Sequence, residues 1–350
     1  MAKPIDRREF IQTSAAGVVS AASVVAAGPS PAVAAEARSK ILNYNENMEY
    51  RRLGSTNLMI SAVCLGGHPG EVPDEDDFAR NRHDVVSRSI DVGINYLDAC
   101  WGEEVMAYSK ALRGRRDKMF LALSNGAKEV RRENYRTSTK LLASLDELLL
   151  ASKQEYTDLW RITCHEQGGK HSFSTSHELV DALEKAKQQG KARFIGLSTH
   201  DYRWIKMMVE QFPQLDVVLF PYTSMSKRVR VYNTESDSIF DVLKKHDVGA
   251  FGIKPFGGRS LFKGDSMTNS PTAKDDNRLA RLVLRRILQN PDIIPIPGLS
   301  NLDQVDNVAR AVVERRELDP KETAALDTAG KQMMADLPKH YEWLRQWEYV

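Results

Sequence analysis

From Glu49 onward, short β-branched or apolar runs alternate with longer amphipathic segments. Residues 62–66, 95–99, 119–124, 158–163, 192–197, 216–220, 249–253 and 293–296 read as strands. Between and after them, helical spacing predicts helices over 83–92, 103–112, 133–152, 176–189, 201–211, 238–246, 277–289 and 302–313. Gly93 and Gly190 stand where a glycine commonly stops a helix. Strands that alternate with helices in this way form a parallel sheet. Eight units over about 250 residues predict a closed α/β architecture, a single-domain (β/α)8 TIM barrel. The rival is an open doubly wound sheet, which needs a G-x-G-x-x-G turn after its first strand. Here the turn reads Gly66-Gly67-His68-Pro69-Gly70 and does not fit.

The N-terminus follows a different pattern. Asp6-Arg7-Arg8-Glu9-Phe10-Ile11 carries paired arginines, small and apolar residues fill 15–27, and Ala32-Val33-Ala34 offers an A-x-A cleavage site. Residues 1–34 are therefore expected to be a twin-arginine export signal. The segments that follow are a polar linker over 35–49, the barrel over 50–315 and a C-terminal helical extension over 316–350. The expected location is periplasmic or otherwise extracytoplasmic, with the twin-arginine machinery as partner during export. The apolar stretch is short for a bilayer span. A net charge of +2 gives no reason to expect nucleic acid or an anionic membrane as partner, so the expected partner is a small-molecule substrate. Three cysteines make no disulfide framework, and Cys64, Cys100 and Cys164 read as buried small hydrophobes.

Several stretches resemble the aldo-keto reductases, in family order over about residues 50–315. Tyr50-Arg51-Arg52-Leu53-Gly54-Ser55-Thr56 resembles the family's opening hairpin, and Gly93-Ile94-Asn95-Tyr96-Leu97-Asp98 its second strand with the catalytic aspartate. Residues 110–118 resemble its helix-to-strand joint and 190–198 its fifth strand. Ile296-Pro297-Gly298 with Gln304 and Asn307 is similar to its adenine site. The resemblance implies NADP(H) at the barrel's C-terminal mouth. Ser198, with Thr199 or His200 beside it, would meet the nicotinamide amide, and Tyr222 would stack on the nicotinamide ring. Lys254, Gly257 and Gly258 would wrap the pyrophosphate. Ser300, Gln304 and Asn307 would hold the adenine end. Asn301 and Asp303 occupy a stretch where the family often has a basic residue, which leaves NAD open as the cofactor. Twin-arginine export moves folded proteins, so a nicotinamide enzyme on that route must carry its cofactor with it.

The family's acid–base set is largely missing. Its proton donor is a tyrosine, tuned by a lysine that pairs with the aspartate, and a histidine orients the carbonyl. Asp98 is present, but Asp98-Ala99-Cys100-Trp101-Gly102-Glu103 holds no tyrosine. Ser124 stands in the lysine's place and Thr163 in the histidine's, with His165 two residues later. Strand side chains alternate faces, so Arg161, Thr163 and His165 share one face while Trp160, Ile162 and Cys164 share the other. A buried arginine needs a carboxylate, which predicts an Arg161–Asp98 pair. The catalytic candidates are Asp98, Arg161 and His165, with His165 moving the proton. His68, Cys100, His165, Glu166, His200 and Asp201 follow strand ends, where barrel chemistry sits. Their histidines keep a metal-assisted lyase or isomerase open as a second class, though no metal ligand is assigned. The missing donor keeps a noncatalytic exported binding protein open as a third.

Overall fold

The computed structural model describes residues 40–67, 75–130, 132–164, 172–226, 238–263 and 270–345. The expected export signal lies outside the described residues, as do His68, His165 and Glu166. Contacts divide the chain at Lys40, and the fold described here is that of Ile41–Val350.

An antiparallel hairpin opens it, β1 (Tyr50–Arg52) paired with β2 (Met59–Ser61). Seven parallel strands follow in sequential order: β3 (Tyr96–Ala99), β4 (Phe120–Leu123), β5 (Thr157–Cys164), β6 (Ala192–Thr199), β7 (Val217–Pro221), β8 (Gly249–Ile253) and β9 (Ile294–Ile296). The segment expected as the first strand closes the ring between β3 and β9. Leu65 bridges Leu97, and Gly66 bridges Gly298. Cys64 and Gly66 donate to the carbonyls of Pro295 and Pro297, and Leu65 donates to that of Tyr96. This eighth stave makes bridges rather than a full ladder for a chemical reason. Pro295 and Pro297 have no N–H to return.

Helices cover the outside: α1 (Glu75–Asp91), α2 (Gly102–Ala111), α3 (Ser138–Ser152), α4 (Phe173–Gln188), α5 (Tyr202–Gln211), α6 (Ile239–Lys245), α7 (Ala273–Leu288), α8 (Leu302–Val313) and α9 (Pro320–Ala335). The helix expected over 133–152 is divided into a 3-10 turn, Glu133–Tyr135, and α3. Gly93 and Gly190 stop their helices with φ of +87° and +71°. Asp319 and Glu322 form a capping box that starts α9, and a further 3-10 segment, Lys339–Arg345, follows it. None of the described helices is long and apolar enough to cross a membrane.

The apolar side chains form two cores. One lies inside the barrel and includes Leu53, Ile60, Tyr96, Phe120, Leu219 and Phe251. The other fills the space between strands and helices. Alternation along β5 sorts its residues: Leu159 belongs to the inner core, and Trp160, Ile162 and Cys164 to the outer. Leu53 and Ile60 come from the hairpin and its turn, so the hairpin plugs the barrel floor. The fit is tight, because a methyl on Gly54 (φ +47°) would lie 2.3 Å from the Gly249 nitrogen. With the floor filled, the opposite end is left for a ligand.

Candidate active site

Asp98, the penultimate residue of β3, has its side chain inside the barrel, and Arg161 faces it from β5. Arg161 Nε donates to Asp98 Oδ1 at 2.8 Å and Nη2 to Oδ2 at 2.7 Å. Both residues are buried. The pair forms across β4 because the intervening inward residue is small: Ala122 pairs in register with Asp98 on one side and Leu159 on the other. Burial works against the guanidinium charge, but the Asp98 carboxylate offsets this and holds its pKa above the ordinary arginine value. The pairing expected from the sequence is thus present.

Arg161 also enters a hydroxyl network. Its Nη1 donates to Thr163 Oγ1 at 2.9 Å, and Thr163 Oγ1 lies 2.6 Å from Ser124 Oγ. Ser124 Oγ donates to Glu129 Oε2 at 2.7 Å. Glu129 is fully buried in the loop after β4. Its carboxylate also accepts from the backbone N–H groups of Asn125 and Thr163, both at 2.6 Å. Because β4 stops at Leu123, the Thr163 N–H finds the Glu129 side chain instead of a strand carbonyl. Burial raises the Glu129 pKa above 4.5, although the Ser124 and backbone hydrogen bonds oppose it.

A cleft of about 270 Å³ opens above the pair. Asp98, Arg161, Cys100 and Ser198 line its inner end. Lys254, Gly258 and Arg259 line it from the loop after β8, and Ser300, Gln304 and Asn307 from the start of α8. Lys254, Gly257, Gly258 and Arg259 all have positive φ, so this loop curls tightly around the cleft edge. Arg82, fully buried on α1, fixes the opposite edge by donating to the carbonyls of Leu299 and Ser300. It also donates to Tyr108 Oη, whose own proton goes to Gly66 O. Tyr108 is thus part of the scaffold.

Several sequence assignments are corrected. Thr199 faces the helix layer, where its hydroxyl accepts from the Asp201 N–H at the start of α5. Its neighbour Ser198 takes the inward side. Tyr222 is also outside the barrel. Val217 and Leu219 point inward, so position 222 points outward, and the Tyr222 ring packs edge-on against Phe240 with centroids 5.6 Å apart. Gly257 shapes the turn from behind, where an added methyl would meet the Met333 sulfur at 2.6 Å. Asn307 lines the cleft, but its amide already accepts from Arg281 and donates to Asn277 O. Cys100 is buried as expected, yet it lines the cleft.

Tyr96 does not replace the missing tyrosine. It points inward one pleat below Asp98 and stacks on Phe251 at 4.4 Å. Burial first, and Asp98 second, push its pKa well above the ordinary phenol value. Glu129, Arg259 and Tyr341 were missed in the sequence. Tyr341 lines the cleft from the last 3-10 segment, with Lys254 Nζ 4.9 Å from its ring centre. Its neighbour Trp343 stacks on His200 at 3.8 Å. For Tyr341 and Trp343 the signal in the sequence was the aromatic-rich stretch over residues 340–349.

Comparison with known proteins agrees with this fold. The model of the aldo/keto reductase family matches residues 62–331. L-galactose dehydrogenase of Arabidopsis thaliana is 26% identical over 311 residues, covering 77% of this chain and 90% of the relative. An aldo-keto reductase of Bacillus halodurans, in its holo form, superposes with a TM-score of 0.61 at 20% identity, covering 84% of this chain and 99% of that one. One from Klebsiella pneumoniae, solved with NADP and acetate, gives 0.61 at 18% identity, covering 80% and 94%.

Proposed function

The chain belongs to the aldo/keto reductase family, and from that premise we propose that it transfers hydride between NADP(H) and a carbonyl or alcohol, a sugar or polyol among the candidates. The observation that carries this reading is the buried Asp98–Arg161 pair at the inner end of the cleft that Lys254, Ser300 and Gln304 line.

The donor set suits a dinucleotide. Lys254 and Arg259 supply positive charge for phosphates, and Ser300, Asn301 and Gln304 form the polar entrance of α8. Ser198 sits between this wall and Arg161. Asp276 and Asp303 line the same outer wall and oppose a 2′-phosphate, so NADPH and NADH are to be compared directly. When bound, the nicotinamide gives or takes the hydride.

Arg161 has five N–H groups. Three are committed to Asp98 and Thr163 among the described residues, and two are left for a substrate oxygen. Held by Asp98, the guanidinium polarises a carbonyl and stabilises the developing charge on its oxygen. It releases no proton, so a separate proton source is needed. The candidate named from the sequence, His165, lies outside the described residues.

The test is NADPH oxidation against a panel of aldoses, ketoses and simple aldehydes. Substrate-dependent oxidation is expected from the wild type. Arg161→Met should lose about 100-fold or more in kcat while still binding NADPH, as removal of an oxyanion donor does elsewhere. The Asp98→Asn/Arg161→Met double variant, which leaves no unpaired buried charge, checks that the loss is not unfolding. No turnover with any carbonyl, or unchanged kcat in Arg161→Met, contradicts the proposal.

A further inference from the structure

If the protein reduces a carbonyl, each turnover consumes a proton, and Arg161 supplies none. The cleft holds another titratable group at its inner end. Cys100 Sγ lies 3.8 Å from Ser124 Oγ, to which it donates, and 3.6 Å from Thr163 Oγ1. Ser124 has a single hydroxyl proton, aimed at Glu129 Oε2. The hydroxyl therefore joins a thiol on the cleft wall to a carboxyl with no solvent exposure. Such a connection has two arrangements. With Glu129 ionised, the protons point inward, from Cys100 to Ser124 to Glu129. With Glu129 protonated, the carboxyl donates to Ser124, and Ser124 is free to donate toward Cys100.

We propose that Glu129 is a buried proton store for the cleft, connected through the Ser124 hydroxyl to Cys100, which hands the proton to the substrate oxygen. The role rests on the hydride reading above. Hydride adds to the carbonyl carbon, the C=O π pair moves to oxygen, and that oxygen takes the thiol proton. The thiolate takes the Ser124 proton, Ser124 takes the carboxyl proton of Glu129, and between turnovers a proton from cleft water returns to Glu129 along the same chain, through Cys100 and Ser124. Alcohol oxidation runs the same steps backwards. Burial raises the Glu129 pKa above 4.5, while the hydrogen bonds from Ser124 and the Thr163 and Asn125 N–H groups oppose it. Among the described residues, the charged groups facing Glu129 and Cys100 are Arg161 from β5 and Asp98 from β3, whose opposite charges are paired, and Glu104 from α2, whose carboxylate accepts from the Cys100 N–H at 3.4 Å.

The experiment needs neither substrate nor nucleotide. Cys100 in the purified full chain is alkylated with iodoacetamide from about pH 6 to about pH 10, and its modification is followed by peptide mass spectrometry. Coupling to Glu129 predicts that Glu129→Gln lowers the Cys100 midpoint by about one pH unit, a roughly tenfold faster reaction at a fixed pH below it. An unchanged midpoint overturns the relay. If Glu129→Gln fails to fold, infrared difference spectra of the wild type make the same test. A carboxylic acid C=O band that persists above the ordinary carboxylate range and shifts when Cys100 is alkylated supports the relay. A band that ignores alkylation, or no such band, overturns it. NADPH turnover without coupling removes the relay and leaves the hydride reading intact. Coupling with no NADPH binding removes the donor role of Cys100.

Discussion

At the scale of single residues, one buried charge pair and one buried carboxyl define the site. Arg161 was legible in the sequence because Trp160, Ile162 and Cys164 take the helix-facing side of its strand, and the period of two leaves it the barrel interior. The nearest inward carboxylate on the facing strands was Asp98. Glu129 was not legible. In Asn125-Gly126-Ala127-Lys128-Glu129 it looks like any charged residue of a solvated loop, and only the early end of β4 folds it inward. Tyr222 and Thr199 were misplaced for an instructive reason. They were assigned by resemblance, and the same alternation that placed Arg161 sends both to the helix layer. Glu129 also makes a prediction in solution. Its folded pKa lies above its usual 4.5, so the folded state binds the proton more tightly than the unfolded chain. That contribution to stability is complete below pH 4.5 and is lost as pH rises through the folded pKa. Denaturant melts of wild type and Glu129→Gln across this range should show a stability difference that shifts against the wild type as pH rises. A difference independent of pH would mean that Glu129 is ionised throughout.

At the scale of elements, the fold was readable wherever the hydrophobic period was long. Helix α8 has the predicted bounds, and the strand sequence was recovered in order. Two departures have local causes. The first stave pairs weakly because its partner strand is rich in proline, and the helix expected from residue 133 restarts at Ser138 after a 3-10 turn. The hairpin's task as a floor could not be read from its own three-residue strands. It follows from Leu53 and Ile60 being buried among the inward residues of the barrel. Leu53→Ala is therefore expected to destabilise the fold by about 2 to 5 kcal/mol through the cavity it leaves. Chemical denaturation measures this, and a loss below about 1 kcal/mol would show that the floor collapses around the gap.

At the scale of the whole molecule, the paired arginines and the cleft make one account: a nicotinamide enzyme folded around its cofactor and then exported. Export stays a proposal resting on Asp6–Ile11 and Ala32–Ala34. Replacing Arg7 and Arg8 with lysine should retain the protein in the cytoplasm of a host with a twin-arginine pathway, and unchanged secretion would count against that route. The last 3-10 segment fits the account, since Tyr341 closes over Lys254 and Gly258 at the cleft edge. The most direct measurement uses protein recovered from outside the cytoplasm and purified without added nucleotide. It is denatured, and the supernatant is assayed for nicotinamide nucleotide. The account predicts nearly one NADP(H) or NAD(H) per chain. No nucleotide in the supernatant, together with no binding of either on titration, would show that the barrel has been kept without hydride chemistry.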